Sequence, residues 1–192
     1  MMSVAVIPPT ERHRAISTLM LAFAGDPITR WGWPDSYAYA TFWPQVLEAF
    51  GGRAFESGTA HAVEGFTAVA LWLPPGVSSD EATMSTLVYE SVAGSARPDL
   101  DGFFEQMGSF HPTFPHWYLP LAGVDPPAQG HGLGSILLRH ALEICDLDGL
   151  PSYLEATSPR SRDLYARHGF EVVGVIQQGG SPPMWPMLRE PR

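Results

Sequence analysis

Apolar positions along this chain switch between strand-like runs and helix-like spacing, with proline and glycine between the segments. Short runs rich in β-branched and aromatic residues indicate strands, and apolar residues three to four positions apart indicate helices. Strands are predicted at residues 4–7, 59–73 (a hairpin turning at Glu64-Gly65), 115–124, 152–157, 170–177 and 183–188. Helices are predicted from residue 10, over 78–93 and 98–110, from about 132, and from the Ser158-Pro159 cap. This order fits a mixed sheet flanked by helices.

Residues 116–141 combine three features that together suit a bound anion. An apolar strand is ended by Pro126-Pro127, since proline has no N–H for the ladder. Gly130, Gly132 and Gly134 follow, and a helical apolar pattern begins there. The first N–H groups of a helix lack internal partners, and glycine lets a bulky anion approach them. The pattern predicts a phosphate site, and a glycine-bearing surface loop without chemistry is the alternative.

The glycine spacing decides which phosphate ligand fits. A dinucleotide fold needs G-x-G-x-x-G and a Walker loop needs Gly-Lys-Ser/Thr, and neither pattern occurs here. Residues 129–134 read Gln-Gly-His-Gly-Leu-Gly, which resembles the Q/R-x-x-G-x-G/A signature of the GNAT superfamily of N-acetyltransferases. Residues 164–170 resemble that family's Leu-Tyr-x-x-x-Gly-Phe helix and turn. The likeness is closer still to puromycin N-acetyltransferase and its relatives, through residues 69–75, 117–124, 154–157, 165–170 and 185–187.

The resemblance implies an architecture. It predicts an α/β (α+β) fold with a GNAT-like mixed, mostly antiparallel central sheet of about six to seven strands flanked by helices. One domain would span residues 1–192, with acceptor-side helices in 1–115 and an acetyl-CoA-binding core in 116–192. The aromatic stretch 31–43 then has two interpretations. It is a helix packed on the core, with Pro34 at its start and Pro44 kinking or breaking it, or part of it walls the acceptor pocket.

The resemblance also implies that acetyl-CoA is the cosubstrate, with its pyrophosphate on the N–H groups from Gln129 to Ser135. Residues 121–124 would offer strand edge to the pantetheine arm, and a splay helped by Gly123 would free an amide for the thioester oxygen. Ser158 stands where many family members have asparagine, which puts that contact in doubt. The cofactor-binding residues so predicted are Leu121, Ala122, Gly123, Val124, Gln129, Gly130, His131, Gly132, Leu133, Gly134, Ser135 and Ser158.

Two side chains are candidates for catalysis. Tyr165 matches the family's Leu-Tyr and would be the general acid, because a phenol with a pKa near 10 stays protonated at neutral pH. Its alternative is a tyrosine that only fills the core. Glu155 lies in an apolar strand, where an acid is either paired with an arginine or solvated, or else orients or deprotonates the amine. Asp26 and Glu90 are weaker candidates, suggested by residue type alone.

Composition limits the partners. The formal net charge of −9 disfavours nucleic acid and is compatible with a positively charged amine. No apolar run approaches the ~20 residues of a spanning helix and no targeting pattern opens the chain, so a cytoplasmic protein without a membrane partner is expected. Cys145 excludes an internal disulfide framework and is expected to be buried. The histidines lack metal-ligand spacing, so no metal is predicted, and His116 and His131 are expected to be surface or packing residues.

The leading hypothesis is therefore an acetyl-CoA-dependent N-acetyltransferase that acts on a small-molecule amine, antibiotic-like or metabolite. Acetylation of a peptide or protein amine is one alternative. An acyl-CoA-binding sensor without turnover is another, although Tyr165 and Glu155 favour an enzyme because a sensor needs neither. A dinucleotide-binding domain is a third. The resemblance leaves a homodimer open.

Overall fold

A computed structural model describes residues 3–192 of the chain, and Met1 and Met2 of the predicted domain lie outside those residues. The strands are β1 (Val4–Val6), β2 (Ala60–Val63), β3 (Ala68–Leu73), β4 (Trp117–Val124), β5 (Ser152–Ala156), β6 (Glu171–Val172) and β7 (Trp185–Arg189). The helices are α1 (Arg12–Phe23), α2 (Pro27–Gly32), α3 (Ser36–Gly51), α4 (Arg53–Glu56), α5 (Glu81–Ser91), α6 (Arg97–Phe110), α7 (Leu133–Asp148) and α8 (Pro159–Arg167).

The strands form one seven-stranded sheet in the order β1-β2-β3-β4-β5-β7-β6. All neighbouring pairs are antiparallel except β4 and β5, which run parallel. The predicted mostly antiparallel sheet is thus confirmed. The hairpin at Glu64-Gly65 is confirmed as well, with Gly65 in the left-handed region at φ 75° where only glycine is unstrained.

Two hydrophobic cores cover the two faces of the sheet. On one face α1, α3 and α5 pack around buried residues such as Leu19, Leu47 and Leu71. On the other face α7 and α8 pack around residues such as Leu137 and Leu154. The apolar stripe of α7 faces this second core, which is why its Cys145 is buried as expected.

A β-bulge in the centre of β4 places the functional residues. Leu71 lies opposite Leu121 but Leu73 lies opposite Tyr118, so one residue of β3 faces two residues of β4, Leu119 and Pro120. A proline is tolerated at such a position because it has no N–H to contribute to the ladder. The extra residue also reverses the alternation of side chains, so Tyr118 and Leu121 join the same core.

Several predicted boundaries were wrong. The aromatic stretch 31–43 is divided between α2 and α3, because Asp35 caps a new helix by accepting from the N–H of Ala38. Pro44 lies inside α3 without ending it. The predicted strand 170–177 is reduced to Glu171–Val172 and one isolated bridge at Ile176. The predicted helix 78–93 is shorter, since Asp80 caps α5.

Candidate active site

The turn before α7 presents a set of unpaired backbone donors. Gly130 and Gly132 have φ values of 83° and 80°, which glycine adopts without strain. The first hydrogen bond of α7 runs from the N–H of Ile136 to the carbonyl of Gly132 at 3.1 Å. Among residues 3–192, no acceptor pairs with the N–H groups from Gly130 to Ser135. This turn therefore offers donors and the positive end of a helix to an anion.

Hydrogen bonds made by side chains hold this turn and the start of α8 in place. Nε2 of Gln129 donates to the carbonyl of Val124 at 3.1 Å, and its Oε1 accepts from Nη1 of Arg160 at 2.8 Å. Ser158 caps α8, where its Oγ accepts from the N–H of Ser161 at 3.2 Å and Ser161 bonds back in a capping box. The side chains of Gln129 and Ser158 thus hold backbone, which explains why the signature begins with a long amide.

These elements line a cleft of about 430 Å³ between β4, the turn, α7 and α8. Most of the predicted cofactor residues border it: Ala122, Gly123, Val124, Gln129, Gly130, Gly132, Leu133, Gly134, Ser135 and Ser158. Leu121 and His131 do not. The bulge turns the Leu121 side chain to the opposite face, and His131 is exposed, its Nδ1 3.2 Å from the carbonyl of Ala128. The cofactor contacts predicted for these two residues would be made by backbone groups and not by side chains, so they stay predictions.

The sheet opens beside this cleft. β4 and β5 pair only from Trp117 with Ser152 to Leu119 with Leu154, although both strands continue further. The expected splay is therefore present, and it begins at the bulge. Gly123 also has a packing role, because a Cβ there would lie 2.6 Å from Cβ of Ala22 on α1, and its predicted role at the thioester stays a prediction. Gly123 allows α1 to approach β4, while Pro120 marks the opening.

A second cavity, of about 120 Å³, lies on the α1, α3, α5 and α6 side of the sheet. Trp31, Trp33 and Trp43 line it, together with apolar residues of α5 and α6. Part of the aromatic stretch therefore lines a pocket, as one of its two interpretations expected, and whether an acceptor binds there stays a prediction. Its alternative, packing on the core, also holds, since Trp33 and Trp43 are buried with ring centroids 5.1 Å apart.

The two cavities meet where the sheet opens. The residues that border both are Phe23, Asp26, Pro120, Glu155 and Thr157. This junction contains two carboxyl groups. Thiol chemistry from Cys145 is not available there, because Cys145 borders neither cavity and burial raises the pKa of its thiol to about 11.

Glu155 contacts Tyr118 and His111, and the alternative in which it pairs with an arginine is not found within residues 3–192. Its side chain is 5% exposed, and its Oε2 accepts from the hydroxyl of Tyr118 at 2.8 Å. Burial first, and then the carboxylate of Glu155, raise the pKa of Tyr118 well above its ordinary value, so Tyr118 stays a donor. Oε1 of Glu155 is buried with no hydrogen-bond partner among residues 3–192.

A pair of histidines extends from Glu155 towards the surface. Nδ1 of His111 lies 4.0 Å from Oε1 of Glu155, and its Nε2 lies 3.2 Å from Nε2 of His116. Burial lowers the pKa of His116. His116 was expected to be a surface or packing residue, and its ring does pack against Tyr153, at 6.0 Å between centroids. Its link to Glu155 through His111 was not foreseen.

Asp26 is a largely buried carboxyl group with two structural hydrogen bonds. Its Oδ1 accepts from the N–H of Thr29 at 3.0 Å as the N-cap of α2, and its Oδ2 accepts from the hydroxyl of Thr157. Burial raises the pKa of Asp26 despite these hydrogen bonds. The other weak candidate, Glu90, is exposed on α5 and borders neither cavity.

Tyr165 borders the larger cleft at its junction end, on the last turns of α8. It is 9% exposed and packs against Phe170 at 6.0 Å between ring centroids. Burial first, and then the charge of Asp26, raise its pKa to about 12. The packing alternative thus holds for the ring, while the phenol is a protonated group beside the cleft.

A sheet that opens at a bulge in its central strand, beside a glycine turn at a helix start, is the mixed α/β fold of GNAT proteins. The family model described as Acetyltransferase (GNAT) family matches residues 78–170. An uncharacterised N-acetyltransferase of Schizosaccharomyces pombe is 27% identical over 94% of this chain and 80% of its own length. The family model and this relative support a GNAT-superfamily N-acetyltransferase.

Solved structures agree over the whole chain. One described as "histone acetyltransferase HPA2 and related acetyltransferase", from Corynebacterium glutamicum, has a TM-score of 0.69 at 26% identity, covering 100% of this chain and 97% of that one. A Drosophila melanogaster polyamine N-acetyltransferase that forms N-acetylagmatine has a TM-score of 0.61 at 15% identity, covering 99% and 100%. PaiA N-acetyltransferase from Thermoplasma acidophilum, solved with coenzyme A, has a TM-score of 0.58 at 9% identity, covering 99% of each chain.

Three further features of the site were not predicted from the sequence. Pro120 was a visible signal, because a proline inside a central strand indicates a bulge. Asp26 before Pro27 carried the pattern of a helix cap, but nothing in the sequence placed it beside Glu155. The contact between Tyr118 and Glu155 had no signal, since it depends on the register of the parallel pair β4 and β5.

None of the helices described over residues 3–192 combines the length and apolar character needed to cross a bilayer.

Proposed function

We propose that the chain transfers an acetyl group from acetyl-CoA to a primary amine of a small molecule by direct attack. The observation that carries this proposal is the meeting of the two cavities at Glu155 and Asp26, with Tyr165 on the side of the larger cleft. A thioester that enters from one side and an amine that enters from the other would meet between a base and an acid. The whole chain is proposed to act as one cytoplasmic domain.

The larger cleft fits coenzyme A. Its turn supplies unpaired N–H groups from Gly130 to Ser135, and hydrogen bonds to a charged group are worth roughly 1.5–3 kcal/mol each. Positive φ at Gly130 and Gly132 points this backbone outward without a Cβ in the way. The unpaired edge of β4 beyond Leu119 would accept the pantetheine arm as another strand. Acetyl-CoA bound in this cleft would supply an activated acetyl group.

The chain's own residues would then handle two protons. Glu155 accepts a proton from the ammonium form of the amine, and Tyr165 donates one to the departing sulfur. The second N–H proton, released from the nitrogen as the amide forms, restores the phenol of Tyr165. The C–N bond forms as the C–S bond breaks, and the products are the N-acetyl amine and the free thiol. His111, whose side chain is 37% exposed, gives the proton on Glu155 a path to solvent. The unpaired Oε1 of Glu155 supports this role, because buried acceptors are normally satisfied.

Thiol release from acetyl-CoA, measured over a panel of amines, tests the proposal. Amine-dependent release with formation of the N-acetyl product is expected. Binding of coenzyme A without amine-dependent release would instead identify an acyl-CoA sensor. The mass of the product separates a small-molecule acceptor from a peptide acceptor. The likeness to puromycin N-acetyltransferase remains a prediction, and puromycin belongs in the panel for that reason.

A further inference from the structure

The smaller cavity would receive the acceptor amine and is called the acceptor pocket below, and the larger cleft is called the cofactor cleft. The acceptor pocket is polar only where it meets the cofactor cleft. Asp26, Thr29, Glu155 and Thr157 are the polar side chains that line it within residues 3–192, and no lysine, arginine or histidine does. Three of them border both cavities, and the end of the pocket that they line is called its inner end below. Away from the junction the walls include apolar side chains of α5 and α6, such as Val88, Leu100 and Phe104.

The inner end is suited to a single cation. Two carboxyl groups face it, and Oε1 of Glu155 lacks a donor. A buried charge is tolerated only when it is paired and hydrogen-bonded. Nδ1 of His111 lies 4.0 Å from this Oε1, which is beyond hydrogen-bond distance, so an ammonium group at this point would give the carboxylate of Glu155 a hydrogen-bonded partner. Phe23 also borders both cavities at this end, and an aromatic face beside the ammonium group would add cation–π attraction.

The volume of the acceptor pocket limits the size of the group that is attached to the amine. The pocket measures about 120 Å³. A protein cavity of roughly 150 Å³ holds one benzene molecule. The body that follows the amine is therefore about the size of one ring, and the tryptophans that line the pocket would pack against it.

We infer that the acceptor is a compact primary monoamine with an apolar body the size of one ring, its ammonium between Glu155 and Asp26. This inference rests on the proposed function for the chemistry at the amine. A diamine such as agmatine would leave its second cation against the apolar walls, unpaired and desolvated, and that costs affinity. A peptide amine brings a polar backbone into the same walls, and it is disfavoured for the same reason.

Binding and turnover of two matched amines test this substrate class. Fluorescence of the pocket tryptophans reports binding of 2-phenylethylamine and of agmatine, with coenzyme A present. We expect 2-phenylethylamine to bind at least about tenfold more tightly and to have at least a tenfold higher kcat/KM. Preferred binding and acetylation of agmatine, or of a short peptide, would overturn the inference while leaving acetyl transfer intact. Tight binding of 2-phenylethylamine without turnover of any amine would overturn the transfer reaction and uphold the pocket preference.

A charge placed in the outer wall provides a second test. Met84 is half-buried on α5 and lines the pocket, so Met84→Glu adds a carboxylate where the second cation of agmatine would lie, at a site where water still reaches it. Met84→Gln is the matched neutral control. We expect the kcat/KM ratio of agmatine to 2-phenylethylamine to rise about tenfold or more in the Glu variant and to stay within a few-fold in the Gln variant. An unchanged ratio in both variants would show that the acceptor body does not occupy this pocket.

Discussion

The two cavities that meet at Glu155 are built in opposite ways. The larger cleft, the proposed cofactor site, is formed mainly from one stretch of chain, residues 119–167, and the part proposed to bind an anion is backbone. The acceptor pocket gathers side chains from α2, α3, α5, α6 and the segment before β7, from Phe23 to Met184. A backbone site is fixed by local turn geometry, whereas a side-chain pocket is set by how distant helices pack. Substitutions should therefore affect the two cavities differently.

Glu155→Gln should have the largest effect, about 100- to 1,000-fold on kcat/KM at neutral pH, which is within the range of general-base catalysis. Glutamine can still accept the hydrogen bond from Tyr118 but cannot take a proton from the amine. The loss should shrink as the pH rises towards the pKa of the free amine, about 10. A pH–rate profile measures this difference.

Glu90→Gln is the control for Glu155→Gln, since Glu90 is exposed and outside both cavities. It should leave the profile unchanged. An equal loss in Glu155→Gln at every pH would assign Glu155 to positioning the amine and not to accepting its proton.

Tyr165→Phe should lower kcat about 10- to 100-fold and leave coenzyme A affinity nearly unchanged, because only the proton for the sulfur is lost. The pKa of Tyr165 is raised to about 12, so this acid disappears only as the pH rises through that value. In the wild type, kcat should therefore not fall through ionisation of this phenol as the pH increases to about 10.

The exposed Tyr37 provides a matched control, and Tyr37→Phe should retain full kcat. If Tyr165→Phe weakens coenzyme A binding as much as it lowers kcat, then the residue contributes to the cleft by packing alone.

Ser158→Ala should have the smallest effect on binding, because the hydroxyl caps α8 and the proposed anion site consists of backbone groups of another segment. Loss of the cap should lower the free energy of unfolding by about 1 kcal/mol, measured by urea denaturation. Ser158→Asn should restore most of it, since asparagine also caps well. A drop in coenzyme A affinity of about 100-fold in the alanine variant would instead make the serine a direct contact.

This contrast explains what could be predicted from the sequence. The glycine turn, the helix after it and the Ser158-Pro159 cap each depend on residues that are close together in the sequence. Residue types and their spacing therefore predict them. The splay was expected from the resemblance, although the residue that marks it is Pro120 and not Gly123. The predicted roles of Tyr165 and Glu155 as acid and base still await the kinetic tests above.

The acceptor side could not be read in the same way. Asp26 and Glu155 are far apart in the chain and lie at one junction only because α2 packs beside the opening of the sheet. An arginine partner for Glu155 was one alternative, and the register of β4 with β5 instead places Tyr118 beside it. Contacts between distant elements carry no local signal, so residue type alone ranked Asp26 no higher than Glu90.

Calorimetric titration of coenzyme A into the folded chain and two variants at position 135 tests the backbone site most directly. Ser135 lies in the first turn of α7 and borders the cleft, and a carboxylate there is favourable for a helix, so Ser135→Glu should fold. Repulsion between unit charges ~5 Å apart at an effective dielectric of ~20 costs about 3 kcal/mol, or about 100-fold in Kd. We expect saturable binding to the wild type and to Ser135→Gln, and at least that loss in Ser135→Glu. No heat with the wild type, or equal affinity in the Glu and Gln variants, would contradict a diphosphate held at the start of α7.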